Sequence, residues 1–211
     1  MSRLFSIRPS ITMRGRRFNG VRGWKGKPSH PPLTDFPIAC YTVAALCDVV
    51  SLIAARNAPE GGIDPVAHDF FMAGTIVLVF GFAVSLVTAL TGFWDWWKGL
   101  PRQKTGPIGR AQHTQVWRTA NRHMAVMLTV TAIVIVDIAI RWSQLHDGSA
   151  SLLVTILSVV AAGLVAYGAA YGGSLVFEYQ FNVESMKGST VWDETEVDQL
   201  PGTKASPTTG V

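Results

Sequence analysis

Four long apolar stretches interrupt an otherwise polar chain: Pro37 to Ala55, His68 to Phe93, Met124 to Ile140, and Leu152 to Phe177. Each approaches or exceeds the roughly 20 residues that carry an α-helix across a hydrocarbon core, and few charges break them. The pattern predicts an all-α integral membrane protein, a four-helix up-down-up-down bundle over residues 30–184 with antiparallel neighbours. A basic tail over 1–29 and a polar, Pro/Gly/Thr-rich tail over 185–211 flank it, the latter expected to be disordered. No internal repeat is visible.

The stretch "KPSHPPLTDFPIAC" leads into the first span. Its prolines predict that the helix cannot begin before Pro32, with Thr34 or Asp35 as N-cap and Pro37 in the first turn. His30 is then expected outside the helix, on a stiff extended arm.

Charge sets the orientation. Of the 18 Lys and Arg residues, those from Arg3 to Lys27 precede the first span, and those from Lys98 to Arg122 lie between spans two and three. The two opposite loops hold only Arg56 and Arg141. Short cytoplasmic loops retain positive charge during insertion, so both termini are expected in the cytoplasm. The basic leader has no small-residue cleavage site and is expected to stay on, held to anionic lipid rather than to nucleic acid. Cys40 and Cys47 are seven apart on one predicted helix, too far for a disulfide and without metal-type spacing, and read as packing residues. There is no P-loop, nucleophile–base pair or hydrolytic carboxylate pair, so hydrolytic chemistry is not expected.

With this topology, polar residues from distant parts of the chain converge on the cytoplasmic ends of the spans: His30, Asp95, His123, Tyr171, Glu178 and Tyr179. Spans one and three stand diagonally in such a bundle and run the same way, so His30 and His123 can face each other across its mouth. Opposed imidazoles suit haem b, which needs two axial ligands and an apolar slot. Asp95 and Glu178 would then orient the imidazole N–H groups. Alternatively, the two histidines and two carboxylates bind a non-haem metal directly. Interfacial placement alone also accounts for such residues, and Trp94, Trp96 and Trp97 beside Lys98 read as an aromatic belt.

A second polar layer lies deeper. Asp48 is roughly 20 Å into the first span at about 1.5 Å per residue, and Asp137 reaches a similar depth in the third. Ionisable groups inside a span are candidates for proton handling. Arg141, four residues beyond Asp137, is its natural partner. Asp48 has none in its own helix, and His68 or Arg56 is expected to supply one. Gly163, Gly168, Gly172 and Gly173 allow close approach of backbones, the last two against either a helix or a flat ligand. His113 and His146 are expected to be solvated.

The segments "HPPLTDFPIA", "LTGFWDW", "RTANRHMAVM" and "YGGSLVFEY" resemble a bacterial membrane-domain family known as domain of unknown function 2231, over about residues 30 to 182. The family pattern falls on His30 and Pro31, on Phe36, Pro37 and Ile38, on Gly92 and Asp95, on His123, and on Gly172, Gly173, Leu175 and Val176. Many members carry a second histidine where this chain has Asp35, so no role for that imidazole is implied here. Some relatives are joined to Rieske-type or cytochrome-like domains, which implies a redox setting in the bacterial inner membrane and favours haem over a bare ion. The resulting expectation is a redox-associated membrane protein that binds haem b through His30 and His123, with Asp95, Glu178, Gly172 and Gly173 around it. It would exchange electrons with a quinone or a partner redox protein. The alternatives are a cofactor-free scaffold or accessory subunit of a larger membrane complex, and a proton pathway through Asp48 and Asp137.

Overall fold

A computed structural model describes residues 29–58, 62, 64–100, 103–105 and 111–181. Four helices dominate it: α1 (His30–Arg56), α2 (Pro65–Gly99), α3 (Gln115–Gln144) and α4 (Leu152–Phe177). All four are long and apolar enough to cross a membrane. In the loop between α2 and α3, β1 (Gln103–Thr105) pairs antiparallel with β2 (Ala111–His113). The C-terminal tail, all of the N-terminal tail except Ser29, and the side chain of His113 lie outside the described residues.

The first helix begins earlier than its prolines suggest. Ser29 is the N-cap and His30 opens the helix, so the imidazole stands in the first turn and not on an extended arm. The reason is that N–H groups of the first turn have no intrahelical acceptor, so Pro31 and Pro32 forfeit nothing there, and their fixed φ suits the helix. Pro37 sits inside the helix and is buried. It cannot donate to the carbonyl of Leu33, four residues back. The Thr88 hydroxyl from α2 reaches that oxygen at 3.2 Å instead, a hydrogen it shares with Val84 O. A proline defect in one helix is thereby repaired by its neighbour.

Neighbouring helices run antiparallel. The α1–α2 contact is the most extensive, α3–α4 and α1–α4 follow, and α2–α3 is the least closely packed. Lipid is as apolar as leucine, so helices in a membrane are held by close backbone approach and polar contacts more than by hydrophobic transfer. Gly74 and Gly81 of α2 supply the first, facing Cys47 and Cys40 of α1 at the same seven-residue spacing. A Cβ on Gly81 would stand 2.5 Å from Cys40 Cβ, and one on Gly74 would stand 3.0 Å from Cys47 Cβ. The cysteines are therefore free packing residues, as their spacing suggests. The outer surface is apolar, with Leu90 71% and Ile76 65% exposed, as lipid contact requires.

The polar contacts are concentrated at Arg141. Its guanidinium is 1% exposed and uses all of its donors. Nε gives a 2.9 Å bond to Asp137 Oδ1, and Nη2 gives a longer one, 3.3 Å, to Asp137 Oδ2. Nη1 donates to Asp48 Oδ1 at 2.9 Å and to Thr75 Oγ1 at 3.2 Å, and Nη2 also donates to Asp48 Oδ2. The partner of Asp48 is thus neither His68 nor Arg56. His68 is exposed beside Asp69, and the guanidinium that reaches Asp48 comes diagonally across the bundle from α3. One further tie lies near the same end, where Ser51 Oγ donates to Ala67 O at 2.6 Å and accepts from Ala150 N at 3.0 Å.

Removing one member of a buried ionic network strands the others, at a cost of about 3–5 kcal/mol, whereas replacing the whole set by apolar groups is often neutral. Arg141→Met is accordingly expected to lower unfolding stability in detergent by an amount of that order. The triple variant Asp48→Leu, Asp137→Leu, Arg141→Met is expected to recover most of it, as read by denaturant or thermal melts of helical circular dichroism.

Candidate functional site

At the other end of α1 and α3 the two imidazoles meet. The ring centroids of His30 and His123 are 6.5 Å apart with the planes inclined at 77°. Each ring is held by the same device. His30 Nδ1 bonds the carbonyl oxygen of Thr88 in α2 at 3.0 Å, and His123 Nδ1 bonds that of Gly168 in α4 at 2.8 Å. Thr91 Oγ1 lies 3.4 Å from His30 Nδ1 as a further acceptor. Its own hydroxyl hydrogen turns back to the helix carbonyls of Thr88 and Val87.

A carbonyl oxygen can only accept, so the proton of each neutral ring is on Nδ1 and the lone pair is on Nε2. Among the described residues, the hydrogen bonds to these rings engage Nδ1 alone. Two rings in this tautomer cannot satisfy each other, because each offers an acceptor and neither offers a donor.

Glycines make room for both. A Cβ on Gly92 would lie 2.6 Å from His30 Cε1, and one on Gly172 would lie 3.3 Å from His123 Cε1. Both glycines are one turn beyond the residue whose carbonyl holds the ring, so imidazole and backbone bond and pack at a single spot. Of the glycines singled out in the sequence, Gly168, through its carbonyl, and Gly172 are therefore at the site. A Cβ on Gly173 would meet only Phe177, at 3.9 Å, so this residue lies on another face, and Gly163 has nothing within 4 Å. The part of Gly92 and Gly168 shows only in three dimensions.

The carboxylates fall elsewhere. Glu178 is exposed at the end of α4, where Ser174 Oγ donates to it at 3.2 Å, and it orients neither imidazole. Asp95 is 4% exposed and sits one turn past Gly92, with no hydrogen bond to either ring among the described residues. The orienting role expected of these two side chains is taken by backbone carbonyls. No group of three or more His, Cys, Asp or Glu side chains able to hold a metal ion occurs among the described residues, so the set of two histidines and two carboxylates does not assemble. Tyr171 pairs with Tyr167 through their hydroxyls at 2.8 Å on the outer face of α4. Tyr179 packs with Leu100, Ala120 and Leu175 in an apolar cluster. Lys98 stands 5.6 Å over the Trp94 ring. His146 is exposed. Asp48 and Asp137 share Arg141 and belong to the separate layer described above.

Mostly apolar side chains fill the interior between the two polar layers, among them Val130 and Val134, with Ile38 and Met127 packed against them, and Tyr41 adds a buried hydroxyl.

No curated protein and no solved structure matches the chain. A family model described as "Predicted membrane protein (DUF2231)" matches residues 26–185, a range that includes all four helices and both histidines, and the chain belongs to that family.

Proposed function

We propose that this chain is a membrane redox protein in which His30 and His123 hold the iron of a haem b near the cytoplasmic face, exchanging electrons with a quinone or a partner redox protein. The observation that supports it is the histidine pair itself. Two imidazoles bound through Nε2 on opposite sides of one ion, with metal–nitrogen bonds of about 2 Å, have centroids roughly 6 Å apart. The pair stands at 6.5 Å. Metal-bound histidines also donate their other ring N–H to a carbonyl or carboxylate, which fixes the tautomer and strengthens the donor nitrogen. Both rings do so here. The donor set, one Nε2 from each ring, therefore suits an iron that takes two axial nitrogens.

When bound, haem would supply a one-electron carrier. The chain's own residues do the rest. Thr88 O and Gly168 O keep Nδ1 protonated and Nε2 free, and Gly92 and Gly172 seat the rings. The sparsely packed α2–α3 seam is the side on which the bundle is most open. An apolar exterior places a lipid-borne quinone within reach.

A second reading, a cofactor-free accessory subunit of a larger membrane complex, has one observation in its favour. Edge-to-face contact with centroids of 4.5–7 Å is an ordinary arrangement for two rings with nothing between them, and 6.5 Å at 77° lies within it.

An absorption spectrum separates the two. Protein expressed with added haem and purified in detergent is expected to show a Soret band that reduction sharpens, and a colourless preparation would remove the first reading. The inclined ring planes carry a second expectation: the ferric protein should give a low-spin paramagnetic resonance signal of large anisotropy, where coplanar imidazoles give a resolved rhombic one. Gly92→Ala should displace His30 and lose at least half of the bound haem, while Gly163→Ala, with open space around it, leaves haem content unchanged.

A further inference from the structure

The two halves of the bundle repeat one plan. His30 and Asp48 are eighteen residues apart in α1, and His123 and Arg141 are eighteen apart in α3. In α2 the carbonyl that holds an imidazole and the glycine that seats it are Thr88 and Gly92, and in α4 they are Gly168 and Gly172, the same four-residue step. Extending these registers pairs Tyr41 with Val134 and Ala44 with Asp137, all four buried. It also pairs Leu78 with Ser158, Gly81 with Ala161 and Asp95 with Leu175, again all buried. Thr75, which accepts from Arg141, falls on Thr155, and each of these threonines donates to the carbonyl four residues back.

An operation that exchanges α1 with α3 and α2 with α4 is a two-fold rotation about the long axis of the bundle. Both diagonal contacts lie across it: His30 against His123, and Asp48 against Arg141.

We infer that the hairpins α1–α2 and α3–α4 are two copies of one half-site, and that the protein binds a single metal centre on the pseudo-two-fold axis, taking one equivalent Nε2 from each copy. The inference rests on the reading of the histidines as ligands, and it adds a restriction that reading does not contain. Both coordination positions must be alike in donor, tautomer, supporting carbonyl and seating glycine, so the centre has two equivalent faces. At the charged contact at the far end, unlike residues of the two copies meet across the axis. Identical residues at positions 48 and 141 would set two like charges together. An aspartate facing an arginine instead makes each hairpin prefer the other over a second copy of itself.

Two experiments on the full chain test this. In the first, His30→Met and His123→Met are prepared separately with haem and compared with wild type. Equivalent positions give both variants the same displaced absorption maxima and the same fractional loss of haem. A wild type without haem overturns both the ligand reading and this inference. A wild type with haem whose two variants differ, one keeping the native spectrum and the other losing it, overturns the equivalence alone. The second experiment needs no cofactor. The network is moved by the symmetry operation in one variant, Ala44→Asp, Asp48→Arg, Asp137→Ala, Arg141→Asp, which points the new arginine at Thr155. It is expected to melt within a few degrees of wild type, while Arg141→Asp alone fails to fold or melts far below. A quadruple variant as unstable as the single one overturns the equivalence of the halves.

Discussion

The ion network at Arg141 fixes the rotation of both diagonal helices, and the imidazole pair depends on it. A guanidinium whose donors are all engaged by two carboxylates and a hydroxyl has no freedom to turn, and its partners are spread over α1, α2 and α3. Eighteen residues are five turns at about 3.6 residues per turn, so Asp48 lies directly along α1 from His30, and Arg141 directly along α3 from His123. Clamping the first pair face to face aims the second pair face to face, roughly 27 Å away at about 1.5 Å per residue. A change in azimuth at the ionic end would carry both imidazoles off the axis together.

That dependence explains why polar residues carry so much of the specification. An amphipathic helix in water has one face to hide, and its orientation follows from hydrophobic burial. These helices are apolar on nearly every side, so burial of leucine or valine discriminates little between one rotation and another. Orientation must come from groups that lipid cannot satisfy: Asp48, Asp137 and Arg141 at one level, Ser51 near it, and His30, Thr88 and His123 at the other. Glycine then sets how closely each oriented face approaches its neighbour, as Gly74 and Gly81 do against Cys47 and Cys40.

The same physics decides what is legible in the amino-acid sequence. Span number, the antiparallel order and the diagonal placement of His30 and His123 follow from lengths, loop sizes and charge, all of which are properties of the linear chain. The start of α1 is misread because the rule against prolines inside helices has no force in a first turn. The orienting groups are misread because carboxylates announce themselves in a sequence, whereas a carbonyl, which every residue owns, does not. Thr88 O and Gly168 O acquire their role only when the chain is folded. The repeat is hidden for a different reason. From His30 to Gly92 is sixty-two residues, but from His123 to Gly172 is forty-nine, because α1 runs further beyond its histidine, and α2 further ahead of its glycine, than α3 and α4 do. No single period aligns α1 with α3 and α2 with α4 at once, and few residues besides histidine, threonine and glycine coincide.

Two contacts on one axis have been resolved in opposite ways, and the contrast bears on what the molecule is for. At positions 48 and 141 the copies have become complementary, so the contact is complete within the chain and asks for nothing else. At positions 30 and 123 they have stayed identical. Identical neutral imidazoles, each with its Nδ1 proton given to a carbonyl, leave a lone pair on each Nε2 and no donor on either ring. A structural contact can take the solution adopted at the ionic end, or an apolar one such as the cluster that Val130 and Val134 of α3 join with Ala44 of α1 and Leu78 of α2. On the function proposed above, like groups held alike on either side of an axis suit an electron-pair acceptor that lies on it and presents the same face in both directions.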